Sequence, residues 1–467
     1  MRHESPLTPV PEWCERRLGE FCRTVGGGTP SRSQPKYWHD DIPWASVKDF
    51  KDDHVFLHDT EEHISQEGLE SSASTLVAEN TPIVCTRMAV GRCALTTRPT
   101  AINQDLKALL LQEDFDRRFF IRLLRHHGPE LDRVSVGSTV RGITLSDLLS
   151  LSLRYPEQKA EQSRIAAVLD TVDEAIAKTE AVIAKLKQVR AGLLHDLLTR
   201  GLDEHGQLRD PIAHPEQFQD SPLGRIPREW RCSKFDDALN NIDAGKSPDY
   251  PDYPAPPGEW GVLKVSAIWP DRFRPHENKW VTKAIHQNPV HEVRDGDLLI
   301  SRSNTYELVG LVSLVRDASP RLMLCDKTLR LRLKADRGLN PFFALLLQTY
   351  TARTQIEVNA TGTSGSMKNI SQDVIRTLVL AYPEVKEQQR ILTALSPADQ
   401  ELEALRQELE KLSSLKSGLM TDLLTGRVRV PEDFGMRRHD AALSAPESGD
   451  TSPHSKDTSP HSKEEEL

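Results

Sequence analysis

The sequence predicts a mixed α/β protein with a pseudo-two-fold internal duplication, in which two globular domains are separated by two long antiparallel coiled-coil helices. Three observations predict this fold class. The segment from Gln162 to Asp196 recurs from Gln388 to Asp422 (388 − 162 and 422 − 196 both equal 226). Apolar residues in both segments follow a heptad pattern, and strand-like apolar runs lie outside them. A period of this length is too long for a solenoid unit and indicates duplicated domains.

The duplication extends into the globular parts. The matched segments are Gly27-Gly28-Thr29-Pro30 with Gly245-Lys246-Ser247-Pro248, Val84-Cys85-Thr86-Arg87 with Leu299-Ile300-Ser301-Arg302, Gly137-Ser138-Thr139 with Gly365-Ser366, and Tyr155-Pro156 with Tyr382-Pro383. The offset drifts between these pairs but stays fixed through the helical segments. Because loops tolerate insertions and scaffolds do not, this pattern indicates a retained scaffold that carries two diverged surfaces.

The heptads assign a seam to each helix, with Leu169 at an a position and Ile165 at a d position. The residues predicted to form the subunit-interface helices are Ile165, Leu169, Ile176, Leu186, Leu193, Ile391, Leu395, Leu405, Leu412 and Leu419. Both copies place a base at the same a position, Arg190 and Lys416. An isolated segment of this kind would favour a dimerisation coiled coil, whereas two matched segments in one chain favour intramolecular antiparallel pairing. Apolar residues outside the seam predict a further helical partner, and Ser396-Pro397 predicts an interruption near the start of the second helix.

The globular parts contain strand-like and helix-like runs without the regular alternation of a doubly wound nucleotide-binding fold. The predicted strands are 82–86, 298–301, 309–315 and 377–380, and the predicted helices are 117–126 and 341–357. These elements predict mixed α/β domains with no dinucleotide fingerprint.

Composition restricts the function classes. The formal net charge is −9, of which residues 431–467 supply −5 from nine acids and four bases. That segment holds a tandem heptapeptide, Asp450 to Lys456 and Asp457 to Lys463, and is predicted to be disordered. Six cysteines without a C-x-x-C pair argue against a zinc ribbon. The start of the chain has no apolar signal region and no run reaches the length of a membrane span, so a cytoplasmic location is expected.

Catalytic motifs do not emerge from the sequence. Ala244-Gly245-Lys246-Ser247 resembles the end of a phosphate-binding loop, but Asn240 stands where the first glycine belongs and no apolar strand is expected before it. A turn at a strand edge is the preferred interpretation. The His126-His127 pair predicts a helix end rather than a metal site. The sequence therefore favours a recognition protein over an enzyme.

The whole ordered pattern resembles the DNA specificity (S) subunit of type I restriction–modification systems, over about residues 10–427. The segments that carry the resemblance are Trp44-Ala45-Ser46-Val47-Lys48, Asn103-Gln104-Asp105, Gly137 to Asp170, Ile226 to Trp230, Arg294 to Ser303, Lys327 to Arg330 and Thr361 to Gly426. The resemblance gives the domain limits 1–158 and 203–385 for two target-recognition domains, 159–202 and 386–427 for the conserved helices, and 428–467 for the disordered acidic tail.

The resemblance implies that each target-recognition domain reads one half of a bipartite, asymmetric site in double-stranded DNA, and that the paired helices set the distance between the halves. It also implies docking of two modification (methyltransferase) subunits and of restriction (translocase/endonuclease) subunits. S-adenosylmethionine, ATP and Mg²⁺ would bind those partners, and this chain would be non-catalytic, without a cofactor or metal of its own. The acidic net charge departs from a DNA-binding protein, so partners are expected to supply many phosphate contacts. A two-domain coiled-coil scaffold without DNA binding and a fused restriction enzyme remain alternatives.

The predicted DNA contacts lie in loops that follow the strands. Arg87 and Arg302 are taken as equivalent, because an arginine that bonds guanine through two N–H groups is the commonest specific contact. The full set of candidates is Lys48, Arg87, Ser138, Thr139, Arg141, Arg302, Thr363, Ser364, Ser366, Lys368 and Asn369. For any single one of these residues, a structural role at the end of a strand or in a turn is the competing interpretation.

Overall fold

The computed structural model describes residues 13–39, 41–51, 55–137, 141–270, 272–362, 367–432 and 434. The chain divides into two compact units. Unit 1 comprises residues 1–179 together with 408–467, and unit 2 comprises residues 180–407. Each unit therefore holds one globular part and a part of both long helices. The tandem heptapeptides of the predicted tail lie outside the described residues.

Unit 1 begins with a strand that pairs with the last strand before the first long helix. Its elements are β1 (Trp13–Arg17), β2 (Cys22–Gly26), β3 (Ile42–Ala45), β4 (Phe56–Leu57), β5 (Glu62–Ile64), α1 (Gln66–Glu70), β6 (Thr75–Val77), β7 (Pro82–Cys85), β8 (Cys93–Thr96), β9 (Thr100–Ile102), β10 (Leu106–Leu111), α2 (Arg117–His126), α3 (Gly128–Arg133), α4 (Leu145–Ser150), β11 (Ser152–Pro156) and the start of α5 (Lys159–Thr199). The central sheet has the order β2-β10-β7-β8-β4, and a second sheet has the order β5-β3-β9-β6.

Unit 2 repeats this plan. Its elements are β12 (Phe218–Ser221), β13 (Gly224–Pro227), β14 (Arg231–Lys234), β15 (Leu239–Ala244), β16 (Gly261–Leu263), β17 (Asn278–Trp280), β18 (Leu298–Ser301), β19 (Ser303–Asn304), β20 (Val312–Leu314), β21 (Leu322–Met323), β22 (Thr328–Leu333), α6 (Asn340–Leu346), α7 (Tyr350–Asn359), β23 (Lys368–Asn369), α8 (Gln372–Thr377), β24 (Val379–Tyr382) and the start of α9 (Val385–Leu424). The central sheet has the order β15-β22-β18-β20, and the second sheet has the order β17-β16-β21. The shared strand orders confirm the mixed α/β duplication.

The central strands β7 and β18 are buried at every position. A strand that is covered on both faces has apolar residues at successive positions. This explains why the sequences of β7 and β18 are apolar runs and do not alternate between apolar and polar residues. β14 pairs with β24 in unit 2 as β1 pairs with β11 in unit 1, both antiparallel. In each unit this strand pair therefore joins an early strand of the globular part to the strand that directly precedes the long helix.

The two long helices have 41 and 40 residues, and every predicted a and d position is buried or half-buried. In unit 1, Ile165 and Leu169 near the start of α5 belong to the same core as Leu423 near the end of α9. In unit 2, Leu197 near the end of α5 shares a core with Ile391 near the start of α9. Both units pair opposite ends of the helices, which confirms antiparallel packing. Among the described residues, none of the helices has an apolar stretch long enough to cross a lipid bilayer.

The two basic a positions form matched ion pairs across the helix seam. Arg190 donates from Nε to the carboxylate of Asp399 within unit 2. Within unit 1, Nζ of Lys416 lies 2.7 Å from Oδ1 of Asp173. Since 416 − 190 and 399 − 173 both equal 226, the two pairs are repeat mates. A charged residue at a seam position helps to specify register, and here both bases meet an acid in the same alignment of the helices.

Glu387 joins the start of α9 to the chain that follows α5. Its carboxylate accepts two hydrogen bonds from Arg209, at 2.7 Å to Oε1 and 3.1 Å to Oε2. Oε1 also accepts from Nε1 of Trp230 at 3.0 Å and from the backbone N–H of Leu202 at 2.9 Å. We call Trp230, Glu387 and Arg209 the unit-2 clasp. A buried carboxylate is stable only when it is paired and hydrogen-bonded, and this one is both.

Unit 1 contains the repeat mate of this cluster, the unit-1 clasp of Trp13, Glu161 and Arg429. Nε1 of Trp13 donates to Glu161 at 3.4 Å, and Arg429 bonds both carboxylate oxygens through Nε and Nη2. Here the arginine follows α9 instead of α5. The segment after each helix therefore closes on the start of the other helix, within the unit that contains both.

The glutamine of the repeated Glu-Gln-x-Arg-Ile motif holds each long helix to its globular part. Gln162 and Gln388 are both buried. The Nε2 of each donates at 2.9 Å to a proline carbonyl, that of Pro156 in unit 1 and that of Pro383 in unit 2. The contact links the motif to the Tyr-Pro pair that precedes it, with the proline six residues before the glutamine in unit 1 and five residues before it in unit 2.

Two helix predictions were wrong in detail. The segment predicted as one helix over 341–357 forms α6 and α7, because Thr349 adopts an extended conformation and its hydroxyl donates to the carbonyl of Leu346 at 2.7 Å. Pro397 does not begin a helix but lies inside α9, which starts twelve residues earlier at Val385. Pro397 has no backbone N–H and cannot donate a helical hydrogen bond. The helix nevertheless continues through it, because packing along the seam holds this segment in place.

Most of the surplus apolar residues on the helices pack inside the units and need no other partner. Ala166, Leu198 and Leu424 are buried in the unit cores. In contrast, Val189 is 55% exposed and Leu415 is 51% exposed. These two residues are repeat mates, since 415 − 189 equals 226. The prediction of a partner surface is therefore narrowed to these two matched positions and to Val182, which is 49% exposed.

Candidate nucleic-acid interface

In unit 1 the end of β7 and the turn before β10 are tied together. The backbone N–H and the hydroxyl of Thr86 both donate to the carbonyl oxygen of Asp105, at 2.9 and 3.0 Å. Oδ1 of Asn103 accepts from the backbone N–H of Asp105 at 3.0 Å and so closes the turn. Arg87 extends from this edge with 61% of its side chain exposed, and its Nη1 lies 3.7 Å from Oδ1 of Asp105. The candidate Arg87 is thus exposed but held beside a buried carboxylate.

The corresponding edge of unit 2 corrects the pairing of Arg87 with Arg302. The hydrogen bond that Thr86 makes to the turn before β10 is made in unit 2 by Arg302, whose N–H donates to the carbonyl of Lys327 at 2.8 Å. The registers of β7 on β10 and of β18 on β22 agree with this match. The mate of Arg87 is therefore Ser303. The two arginines are shifted by one position, which in a strand changes the face that a side chain occupies.

A short hairpin lies against this edge in each unit. In unit 1, Val136 and Gly142 exchange two backbone hydrogen bonds, of 2.9 and 3.0 Å. In unit 2, Thr361 and Asn369 exchange the same pair, of 2.9 and 2.8 Å. We call these the edge hairpins. Gly142 bridges to the residue after Thr86, and Asn369 pairs with Ser303 of β19, so each hairpin joins the end of a central strand.

The glycines of the edge hairpins correct a second match. Gly137 and Gly362 both follow the first hairpin position, and both have a φ of 130°, a conformation that favours glycine. Gly137 therefore matches Gly362 and not Gly365, and the unit-2 hairpin has the longer tip. The candidates in the two tips, Ser138, Thr139, Thr363, Ser364 and Ser366, lie outside the described residues.

Arg141 and Lys368 are matched bases on the returning strand of the edge hairpins. The guanidinium of Arg141 donates to the backbone carbonyl and the carboxylate of Asp132, at 2.7 and 3.3 Å. Nζ of Lys368 donates to the carbonyl of Gly362 at 2.7 Å. Sequence reasoning named both residues but did not pair them. Their shared position places one cation beside each hairpin.

Lys48 belongs to a different part of unit 1. It lies exposed in the turn after β3. Because β3 pairs with β9 as β16 pairs with β21, Trp44 matches Val262, and the mate of Lys48 is Ser266. The candidate bases Lys48 and Lys368 therefore occupy different positions in the two units.

Arg32 is an exposed cation that sequence reasoning missed. Its guanidinium lies 3.5 Å from the ring centre of Trp38 and forms two hydrogen bonds to Glu62, one of them 2.9 Å long. The Arg32 hydrogen bonds and, more weakly, the charge of Lys48 hold the pKa of the Glu62 carboxyl below its ordinary value. The aromatic and acidic neighbours fix the orientation of Arg32. The only sequence signal was a tryptophan, Trp38, six residues before the matched Trp44-Ala45 segment.

Gly27 and Gly245 mark the same close approach of two chain segments. A Cβ atom at Gly27 would lie 1.8 Å from the carbonyl oxygen of Ile102, and one at Gly245 would lie 1.9 Å from that of Leu324. Only glycine fits, which confirms the predicted match. The residues after Gly245 form no helix in the described part of this loop, so the strand-edge turn is confirmed over a phosphate loop. A strand, β15, does precede the turn, contrary to expectation.

Arg330 is a buried cation that organises unit 2 from within. Its Nε lies 3.0 Å from Oδ2 of Asp243, and its Nη1 lies 3.0 Å from Oδ2 of Asp297. Burial alone would raise the pKa of Asp243, but hydrogen bonds from Arg332 and Arg330 outweigh it and hold that pKa below its ordinary value. Arg330 therefore ties β22 to β15 and is not available to a ligand.

The matched edges of the two central sheets carry different side chains at positions that share the same backbone hydrogen bonds. The matched pairs, unit 1 first, are Thr86 with Arg302, Arg87 with Ser303, Gln104 with Asp326, Asp105 with Lys327, Arg141 with Lys368 and Gly142 with Asn369. Sequence reasoning named five of these twelve residues as candidate DNA contacts. The others were hidden because segments were matched by side-chain identity, whereas these positions differ in identity and agree in hydrogen bonding.

Comparison with known proteins places the chain in a family. The family model described as "Type I restriction modification DNA specificity domain" matches residues 11–188 and 245–413. The EcoEI type I restriction enzyme specificity subunit of Escherichia coli is 28% identical over 225 residues, covering 48% of this chain and 38% of that subunit. The EcoR124I/EcoR124II specificity subunit of Escherichia coli is 30% identical over 169 residues, covering 35% of this chain and 41% of that subunit. The alignments thus span less than half the length of these two relatives.

Longer and structural similarities agree. The putative MjaX specificity subunit of Methanocaldococcus jannaschii is 24% identical over 356 residues, covering 73% of this chain and 76% of that subunit. The crystal structure of an S subunit from M. genitalium covers 90% of this chain and 98% of that one, with 16% identity and a TM-score of 0.52. A chain from a structural study of type I restriction–modification complex assembly gives a TM-score of 0.53 at 16% identity and covers 90% of this chain and 99% of its own. The structural likenesses support the fold. With both halves matched by the family model, this chain belongs to the type I restriction–modification DNA specificity family.

Proposed function

We propose that this chain is the sequence-specific DNA-recognition subunit of a type I restriction–modification complex, in which each unit reads one half of a bipartite, asymmetric site in double-stranded DNA. The observation that carries the proposal is the pair of matched sheet edges with unlike side chains. A duplicated scaffold that presents two different sets of donors and acceptors suits two different half-sites. The proposed contacts among the described candidates are Arg87, Arg141, Arg302, Lys368 and Asn369.

The two classes of proposed contact have different tasks. Exposed cations such as Arg32, Arg141 and Lys368 suit phosphate oxygens, which position a protein on DNA without reading its sequence. Arg87 and Arg302 suit guanine, whose O6 and N7 accept from one guanidinium. The overall charge of −9 is low for a DNA-binding chain. Partner subunits would therefore supply part of the phosphate contact.

Matched apolar positions on the long helices suit the docking of two modification subunits. Val189 and Leu415 are repeat mates, and each exposes about half of its side chain beside the seam. Two equivalent sites on one chain fit two copies of one partner. The seam residues, from Ile165 to Leu419, were predicted as subunit-interface helices, and their buried or half-buried side chains suit contact between the two helices of this chain.

In this proposal the chain itself is non-catalytic. S-adenosylmethionine would bind the modification subunits that methylate adenine, and ATP with Mg²⁺ would bind the restriction subunits. The role of this chain is to position the methyltransferases on a chosen sequence. Such positioning changes which adenines react without contributing a reacting group.

Reconstitution with modification subunits tests the proposal. DNA methylated by the complex, sequenced by a method that detects N6-methyladenine, should show one two-part asymmetric motif that disappears when this chain is omitted. Exchange of residues 10–155 for those of a relative should alter one part of the motif only. Alteration of both parts would refute two independent recognition units. Assembly of the complex without a defined motif would favour the scaffold alternative.

A further inference from the structure

A hydroxyl holds an exposed acceptor side chain at the same place in both units. In unit 1, Oγ1 of Thr29 donates to Oε1 of Gln104 at 2.6 Å. In unit 2, Oγ of Ser247 donates to the carboxylate of Asp326, whose backbone N–H donates back to that hydroxyl at 3.3 Å. Two loops meet in each contact, namely the loop after β2 or β15 and the turn before β10 or β22. The pair is thus built twice on the same frame.

The frame around these pairs is rigid. Gly27 and Gly245 bring the loop backbone against the carbonyl that precedes each turn, where a Cβ would overlap. The residues before the acceptors, Asn103 and Cys325, are buried, while the acceptors themselves are exposed. Each acceptor is therefore presented from a fixed backbone, with its orientation set by the hydroxyl. Orientation of this kind is what a base-reading side chain requires.

The two acceptors differ in what they can recognise. With Oε1 oriented by Thr29, the amide of Gln104 still offers a second lone pair and two N–H donors, the combination that pairs with N6 and N7 of adenine. The carboxylate of Asp326 offers acceptors only, which suits the N4 amino group of cytosine. An exposed carboxylate beside DNA is repelled by phosphates, so it belongs opposite a base edge. The exposed Lys246 and Lys327, adjacent in sequence to this pair, offset that repulsion.

We propose that Gln104 and Asp326 are specificity-determining residues of the two half-sites, Gln104 for adenine and Asp326 for cytosine, and that Thr29 and Ser247 position them. The inference rests on the proposed function and names two residues that carry it out. It also explains why matched positions on a shared frame hold an amide in one unit and an acid in the other.

The test is Asp326→Asn in the complex with modification subunits, read out as the methylated motif. The substitution keeps the shape and replaces an acceptor with a donor. Discrimination at one base pair of one half-site should fall by roughly 10- to 100-fold, with the other half-site unchanged. Gln104→Glu should do the same in the other half-site, which keeps the proposal testable if either variant fails to fold. Ser247→Ala should weaken preference at the same base pair as Asp326→Asn.

Asp336→Asn is the matched control, because Asp336 is an exposed acid just past the other end of β22, roughly 20 Å along the strand. It should leave the motif unchanged. If the wild-type complex methylates a bipartite motif and both Asp326→Asn and Gln104→Glu retain it with the same preference at each base pair, the assignment of these residues is overturned while the proposed function stands. If the wild-type complex methylates no defined motif, the proposed function itself fails.

Discussion

Removal of the Glu387 side chain should destabilise unit 2 more than the same change at Glu161 destabilises unit 1. In the unit-2 clasp, the side chains of Arg209 and Glu387 are only 5% and 6% exposed. Glu387→Ala leaves the buried guanidinium of Arg209 with only Glu229 as a carboxylate partner among the described residues, at 2.8 Å and with 77% of that glutamate side chain exposed. It also leaves two N–H groups, of Trp230 and Leu202, without an acceptor. Breaking a buried ion pair from one side costs about 3–5 kcal/mol. That is a large fraction of the roughly 5–15 kcal/mol that stabilises a typical domain.

Loss of the glutamate should cost less free energy of unfolding in the unit-1 clasp. Arg429 keeps 32% of its side chain exposed, so water can solvate the guanidinium when the carboxylate is gone. The bond from Trp13 is also longer, at 3.4 Å. Glu161→Ala should therefore cost about 1–3 kcal/mol, the range for lost hydrogen bonds to a charged group. The two clasps share a tryptophan, a glutamate and an arginine, so the difference between the variants follows from the deeper burial of Arg209 and from the additional bond of Glu387 to the Leu202 N–H.

Hydrogen exchange measured by mass spectrometry across a urea series provides the assay, because peptides from the two units are followed separately in the full chain. With a slope of about 2–3 kcal/mol per molar urea, Glu387→Ala should shift the unit-2 midpoint by roughly 1–2 M. Adding Arg209→Leu should recover part of the loss, because no charge is then left buried. A unit-2 midpoint that moves no more than the unit-1 midpoint does in Glu161→Ala, or a double variant that is worse by the sum of both changes, would refute the reasoning.

Three further outcomes are expected. Val189→Asp, alone and with the same change at its repeat mate, should reduce co-purification of the modification subunits in steps, whereas Ala184→Asp on an exposed part of the same helix should not; equal losses would point to general damage. Arg190→Glu should lower the free energy of unfolding by about 1 kcal/mol, since the pair is partly exposed, and Asp399→Arg added to it should restore stability; no rescue would mean that the pair does not set register. Because the pKa of Asp243 is lower in the folded state, its contribution to stability is present above the unfolded pKa of about 3.9 and is lost as pH falls through the folded pKa. Asp243→Asn should therefore reduce the loss of stability toward acid pH, measured by urea unfolding from pH 6 to pH 3.

The sequence predicted the helices well because their signal is long, periodic and repeated without insertion. It also matched Gly27 with Gly245 correctly, since both halves retain glycine where no other residue fits. The break between α6 and α7 could not be predicted in this way. An extended Thr349 inside an apolar helical pattern is selected by the packing around it and not by local propensity.

The candidate site was predicted by region but not by register. Arg87 and Arg302 were matched because both are arginine, while the hydrogen bonds of the strands match Arg87 with Ser303. The register of two paired strands depends on backbone hydrogen bonding across the sheet. The identity of side chains at an exposed edge does not reveal that register. The same error assigned Gly137 to Gly365, although the backbone angle of Gly362 identifies it as the mate.

The correction changes how the two units should be compared. If the matched arginines had been true mates, one contact of the same type would have been expected in each half-site, and the units would differ mainly in their loops. With the register set by hydrogen bonds, each unit presents a cation from a different position of the same edge, at Arg87 in one and at Arg302 in the other. Side chains one residue apart at a strand end point to different sides. Two half-sites read by such edges would therefore differ in the position of a guanine as well as in the identity of the neighbouring bases. One duplicated scaffold can thus read two unrelated DNA sequences without any change of fold.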